Sequence, residues 1–133
     1  MKKIFLTLSA LFLINIAFSQ KDIVFEICGT KSELKEGKKG PFNALTISQE
    51  KLLECLKIKT NQKGVKVVAF SLGMTSSTGK EYYDIKTKGN KISEKMIEKI
   101  KEHNPSKIYI EKILTENKLG EASRSGHLTL HLK

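Results

Sequence analysis

The chain has 133 residues, 39% of them hydrophobic and 29% charged, with 24 basic residues against 14 acidic ones and a formal charge of +10. That length holds one domain and excludes a multidomain assembly within the chain. All the basic residues but Arg124 are lysine, and they are scattered, which speaks against a nucleic-acid reader, whose specific contacts rest on the planar guanidinium.

Residues 1–19 read as an export signal. Lys2 and Lys3 form a positive end, an apolar run covers 4–18, and Ala17-Phe18-Ser19 places small residues before a cleavage site at Gln20. The run is interrupted by Thr7, Ser9 and Asn15 and falls short of the roughly 20 apolar residues a membrane span needs. The first residue after the expected cut is Gln20 and not cysteine, so a bacterial-type lipid anchor has no attachment point there, and the mature chain is expected to carry no transmembrane segment. The expected product is one domain over 20–133 in the periplasm or outside the cell, with a charge of +8 once the leader's two lysines are gone.

Along that domain apolar residues recur mostly by twos. Ile23, Phe25 and Ile27 alternate with Val24 and Glu26 in a first strand that stops at Gly29. Residues 30–45 are rich in lysine and glycine, with Gly37, Gly40 and Pro41, and predict a mobile loop. Ser48 is a good N-cap, and Leu52, Leu53 and Leu56 behind it predict a helix of about two turns.

Ile58 and Thr60 then lead into Asn61-Gln62-Lys63-Gly64, a hairpin signal. Val68, Phe70, Leu72 and Met74 form the bulky face of an expected central strand, and Val67, Ala69, Ser71 and Gly73 the smaller face. After a turn over 75–79, Glu81, Tyr83 and Ile85 alternate with Tyr82, Asp84 and Lys86. Ser93 opens a second helix, with Ile92 and Ile97 placed as a hydrophobic staple, Met96 and Ile100 on the apolar stripe, and His103-Asn104-Pro105 as the stop. A strand follows from Ile108 to Leu114, then a polar turn at Glu116-Asn117-Lys118-Leu119-Gly120. Leu128, Leu130 and Leu132 close the chain with the alternation of an edge strand. Six or seven strands and two short helices predict a mainly β, single β-sandwich-like (Ig-like) domain with α+β elements, and not a parallel α/β fold.

Few residues point to chemistry. Gly73 to Lys80 imitates a phosphate-binding loop, but its glycines are one residue too far apart, Glu81 stands where Ser or Thr would bind magnesium, and a strand follows instead of a helix. His127 and His131 would lie about 13 Å apart on a strand, too far to share one ion. His103 at a helix end suits the last carbonyls. Ser71, Ser76 and Ser77 sit in no nucleophile elbow, and an enzyme would need a pocket joining acids such as Asp84 and Glu111 to a histidine. No enzyme, cofactor or metal is therefore expected. Cys28 and Cys55 can pair in an oxidising compartment or remain two small buried hydrophobes, and both readings stand at this point. Tyr82, Tyr83 and Tyr109 are the candidates for an interface, with one member of the Tyr82–Tyr83 pair expected in the core.

Thr46-Ile47-Ser48 opening a leucine helix, Val67-Val68-Ala69-Phe70-Ser71-Leu72 as a central strand, Ile92-Ser93 beginning a second helix, and Ser106-Lys107-Ile108-Tyr109-Ile110-Glu111-Lys112-Ile113 as a late strand together form a recognisable order. In it, residues 46–133 resemble the C-terminal domain of GldM, also called PorM, of gliding motility and type IX secretion. The resemblance implies a β-sandwich-like periplasmic domain that works by contact with an envelope or secreted protein, allows a homodimer, and supplies no catalytic residues. In that family the domain ends a long dimeric arm anchored by a transmembrane helix, which this chain lacks. The alternative is a small secreted inhibitor or ligand carrier that uses residues 30–45 as a recognition loop.

Overall fold

The computed structural model describes residues 23–133, so the leader expected over 1–19 and its cleavage site lie outside the described residues. The chain is mainly β, with strands β1 (Phe25–Ile27), β2 (Thr30–Lys31), β3 (Glu33–Gly37) and β4 (Gly40–Ile47), helix α1 (Gln49–Cys55), strands β5 (Lys59–Thr60), β6 (Lys66–Thr75) and β7 (Tyr82–Lys88), helix α2 (Glu94–His103), and strands β8 (Lys107–Glu116), β9 (Ala122–Arg124) and β10 (Leu128–Leu132). A large sheet runs β3-β4-β10-β8-β6-β7, with β9 added on β8, and a small sheet runs β2-β1-β5. Only β4 and β10 pair in parallel among the described strands.

The two layers form because the inner strands of the large sheet, β4, β10, β8 and β6, each have one apolar face. Leu45, Ile47, Phe70, Leu72, Ile108, Ile110, Leu128 and Leu130 point to one side, where they meet Phe25 and Ile27 of the small sheet, Leu52 of α1, and Ile92, Met96 and Ile100 at α2. Burying each Leu, Ile or Phe fully contributes about 1.5 to 3 kcal/mol. The result is a β-sandwich-like body whose second layer is a small sheet flanked by both helices.

Both helices start and stop on local signals. The Ser48 side chain accepts from the Lys51 amide at 3.1 Å, and that of Ser93 from the Met96 amide at 3.3 Å. Each helix ends on a left-handed residue, Leu56 (φ 56°) after α1 and Asn104 (φ 44°) after α2.

Several sequence expectations are corrected. Residues 30–45 do not form a mobile loop, because they fold as β2, β3 and most of β4, with Gly37 paired to Gly40 across a turn at Lys38-Lys39. Gly40 (φ 114°) takes the backbone geometry that closes this turn, so the glycines mark a hairpin. The strand at 58–60 does not form a hairpin with β6. It pairs with β1 in the small sheet, while β6 enters the large one. The last strand is not an edge, since β10 lies between β4 and β8. A further short strand, β9, follows the turn at Asn117, whose side chain accepts from the Leu119 and Glu121 amides.

The central strand β6 also departs from strict alternation. Val67, not Val68, is buried, and Phe70, Leu72 and Met74 follow on the same side. The pairing to β8 slips between Val67 and Ala69, and again between Ala69 and Ser71. On β8 the buried positions change phase in step, from Ile108 and Ile110 to Ile113 and Thr115, across Lys112 at φ 52°. One bulge on each strand thus compensates the other, and both keep their apolar residues inward.

Candidate functional site

The outer face of the large sheet has no covering layer among the described residues. Cross-strand pairing brings Asp84, Gly73, Tyr109 and Thr129 into one row, and Lys86, Ser71 and Glu111 into the next. Strand alternation therefore separates the adjacent tyrosines. Tyr82 turns outward and is 54% exposed, while Tyr83 packs against the core. Tyr109 lies on the outer face, half-buried, so the structure places Tyr82 and Tyr109 on one surface and Tyr83 on the other.

Gly73 is what lets the two outer rings share that surface. A Cβ there would collide with the Tyr82 hydroxyl, so the ring lies directly across the bare backbone of β6. An aromatic side chain laid over a strand glycine shields backbone that a side chain would otherwise cover. Partial burial first, then the carboxylates of Glu111 and Asp84 and the neighbouring Tyr109, hold the Tyr82 hydroxyl above its ordinary value of 10.0. The patch thus combines two tyrosines with the carboxylates of Asp84 and Glu111 and the ammonium of Lys86.

Asp84 and Glu111 do share this face, but no hydrogen bond or ion pair among the described residues joins either to a histidine. His103 sits on the opposite side of the sheet. Its ring stacks on Tyr83 with centroids 5.0 Å apart, and Lys99 Nζ lies 4.6 Å from the Tyr83 centroid. The Tyr83 hydroxyl donates to Glu81 Oε2 at 2.8 Å. That hydrogen bond, followed by burial and the Glu81 charge, keeps the Tyr83 phenol above its ordinary value.

His103 Nδ1 accepts from the Ser77 amide at 3.2 Å and lies 3.3 Å from its hydroxyl, while Nε2 is 3.8 Å from Glu102 Oε1. The order serine, histidine, carboxylate imitates a hydrolytic triad. The backbone amide already occupies Nδ1, however, so the imidazole caps the β6–β7 turn instead of activating a hydroxyl. Sequence spacing could not have joined Ser77 to His103, because α2 must first fold back over β7.

Cys28 and Cys55 form a disulfide with Cα atoms 5.5 Å apart. Cys28 (φ 56°) and Gly29 (φ 77°) make the two-residue turn between β1 and β2, and Cys55 is the last residue of α1. The bond ties the tip of the small sheet to the end of a helix. Beside it lies a shallow depression of about 300 Å³ lined by Glu26, Gly29, Lys57 and Lys59 as well as the two cysteines, and these residues make no acid, base and nucleophile set.

No group of three or more metal-ligating side chains occurs among the described residues. No described helix is long and apolar enough to cross a membrane. No family model and no curated protein matches this chain.

Proposed function

We propose that this chain is an exported, non-enzymatic protein-binding module, resembling the C-terminal domain of GldM, that meets an envelope or secreted protein through the outer face of its large sheet. The observation that carries the reading is the Tyr82 ring lying over Gly73 beside Tyr109, Glu111 and Asp84. Aromatic side chains with polar tips on an uncovered, rigid sheet are what a protein interface uses for its central contacts. The disulfide fits an oxidising compartment. A role beside gliding-motility or type IX secretion components follows from the resemblance.

The alternative, a small secreted inhibitor or ligand carrier, would have to recognise its ligand with the β3–β4 hairpin, since residues 30–45 fold largely as strands. Affinity capture from the envelope fraction tests the binding reading, with the unaltered protein and a Tyr82→Ser/Tyr109→Ser variant as parallel baits. Envelope proteins retained by the first and lost by the second support it. Equal recovery on both baits, or recovery on neither, would sink it.

A further inference from the structure

We propose that one edge of the large sheet, strand β7, pairs antiparallel with β7 of a second copy of this chain, in a register centred on Ile85. The described residues place β6 on one side of β7 and no strand on the other.

The hydrogen-bonding phase identifies which groups are open. At one end of the β6–β7 ladder the Ser76 amide donates to the Glu81 carbonyl at 2.8 Å, and at the other the Gly89 amide donates to the Val68 carbonyl. Antiparallel ladders alternate. The backbone groups of Tyr83, Ile85 and Thr87 therefore face β6, and those of Tyr82, Asp84, Lys86 and Lys88 face the open edge. Among the described residues, the outer row is engaged locally, where the Thr87 hydroxyl reaches the Lys88 carbonyl at 3.4 Å. The open stretch ends just beyond Lys88, where the Asn90 carbonyl accepts from the Ile58 amide at 2.8 Å.

The outward residues are self-complementary in one register. Centring an antiparallel pair on Ile85 sets Asp84 opposite Lys86 of the second copy and Tyr82 opposite Lys88, each twice by symmetry. All four outward residues then fall at hydrogen-bonded pair positions, and Ile85 meets its own copy at a close, non-hydrogen-bonded position. Sliding by one pair in either direction sets Asp84 against Asp84 or Lys86 against Lys86, and like charges directly opposite are destabilising. Among the described residues no ion pair occupies Asp84, Lys86 or Lys88. The charges that would protect an edge from indiscriminate pairing thus select a single partner strand. The two-fold axis stands perpendicular to the sheet, so both copies present their Tyr82 and Tyr109 faces on the same side. A seven-residue edge buries less than a standard interface, so the dimer is weak and forms at high concentration.

Analytical ultracentrifugation of the purified protein over a concentration series tests this. The unaltered chain is expected to show a monomer–dimer equilibrium, and Asp84→Lys and Lys86→Asp are each expected to weaken it about tenfold by creating two like-charge contacts. Mixing these two variants is expected to restore association as a one-to-one heterodimer, a result that misfolding of either could not produce. A chain that stays monomeric throughout, a dimer indifferent to both substitutions, or a mixture that fails to associate would each overturn the proposal.

Discussion

Ser32 Oγ donates to Asn43 Oδ1 at 3.0 Å, and this buried contact joins the two sheets. Ser32 Oγ also accepts from the Phe25 amide at 2.9 Å, the Ser32 amide donates to the Phe25 carbonyl at 2.7 Å, and Asn43 Nδ2 donates to the Ile23 carbonyl at 3.3 Å. The chain passes from β2 to β3 at Ser32, so this residue and Asn43 add polar ties to the apolar packing between the two sheets. Leaving a buried donor or acceptor without its partner costs about 1 to 3 kcal/mol. Asn43→Ala and Ser32→Ala are each expected to lower unfolding free energy by that amount, and together by less than the sum. Chemical denaturation of the four proteins of the cycle checks it, and strictly additive losses would show that the two side chains do not act as a unit.

Gly73 and Tyr82 make a different kind of pair, because the ring is half-exposed and can move. Gly73→Ala forces the Tyr82 hydroxyl away from β6, with a stability loss at the low end of overpacking, about 1 kcal/mol. The tyrosine's titration is expected to shift back toward that of a free phenol. Tyrosinate absorbance during an alkaline titration reads this directly, and an unchanged curve would mean that the ring does not rest where it is described.

Alkaline stability follows from both raised phenols. In the folded chain Tyr82 and Tyr83 hold their protons above the ordinary value of 10.0. The folded state therefore binds more protons than the unfolded chain from about pH 10 upward, and the stabilisation is present in full below that pH and lost as pH rises through the folded values. Denaturation midpoints are expected to fall in this alkaline window. Replacing both residues with Phe should flatten the fall, and an equally steep decline in that variant would assign the effect to other groups.

Reducing the Cys28–Cys55 bond releases a constraint across 27 residues of sequence. The chain-entropy relation gives about 3 to 4 kcal/mol for a loop of that size, a large share of a small domain's stability. Cys28→Ser/Cys55→Ser is expected to lose that much in denaturant titrations, and reductant should have little further effect on it. A loss below about 1 kcal/mol would contradict the entropic account.

Lys112 takes a left-handed backbone at φ 52° to make the bulge in β8. A β-branched side chain tolerates that geometry poorly. Lys112→Val is expected to cost about 1 to 2 kcal/mol and Lys112→Gly little or nothing, as measured by thermal unfolding. A neutral valine variant would mean that the strand is regular there.

Elements whose stabilisation is local were legible in the residues. Ser48 and Ser93 announced both helices, because a cap acts within one turn, and Leu72, Met74, Ile108 and Leu130 announced their faces, because strand alternation is a property of consecutive residues. The hairpin at 30–45 was hidden for the opposite reason. Leu34, 66% exposed on an edge, leaves that strand almost no apolar signature, and its hydrogen bonds to β4 come from backbone that carries no sequence label. Val67 was assigned to the wrong side because a bulge shifts the phase of everything beyond it.

The amino-acid order by itself determined a mainly β body and two capped helices, since each is set by neighbours along the chain. Tertiary structure alone decided that β10 fills the middle of the sheet, that Cys28 meets Cys55, that Tyr82 lies across Gly73 while Tyr83 stacks on His103, and that β3 and β7 are the edges. Those outcomes depend on segments far apart in sequence arriving at one place, and contact between distant residues is fixed by packing of the whole core.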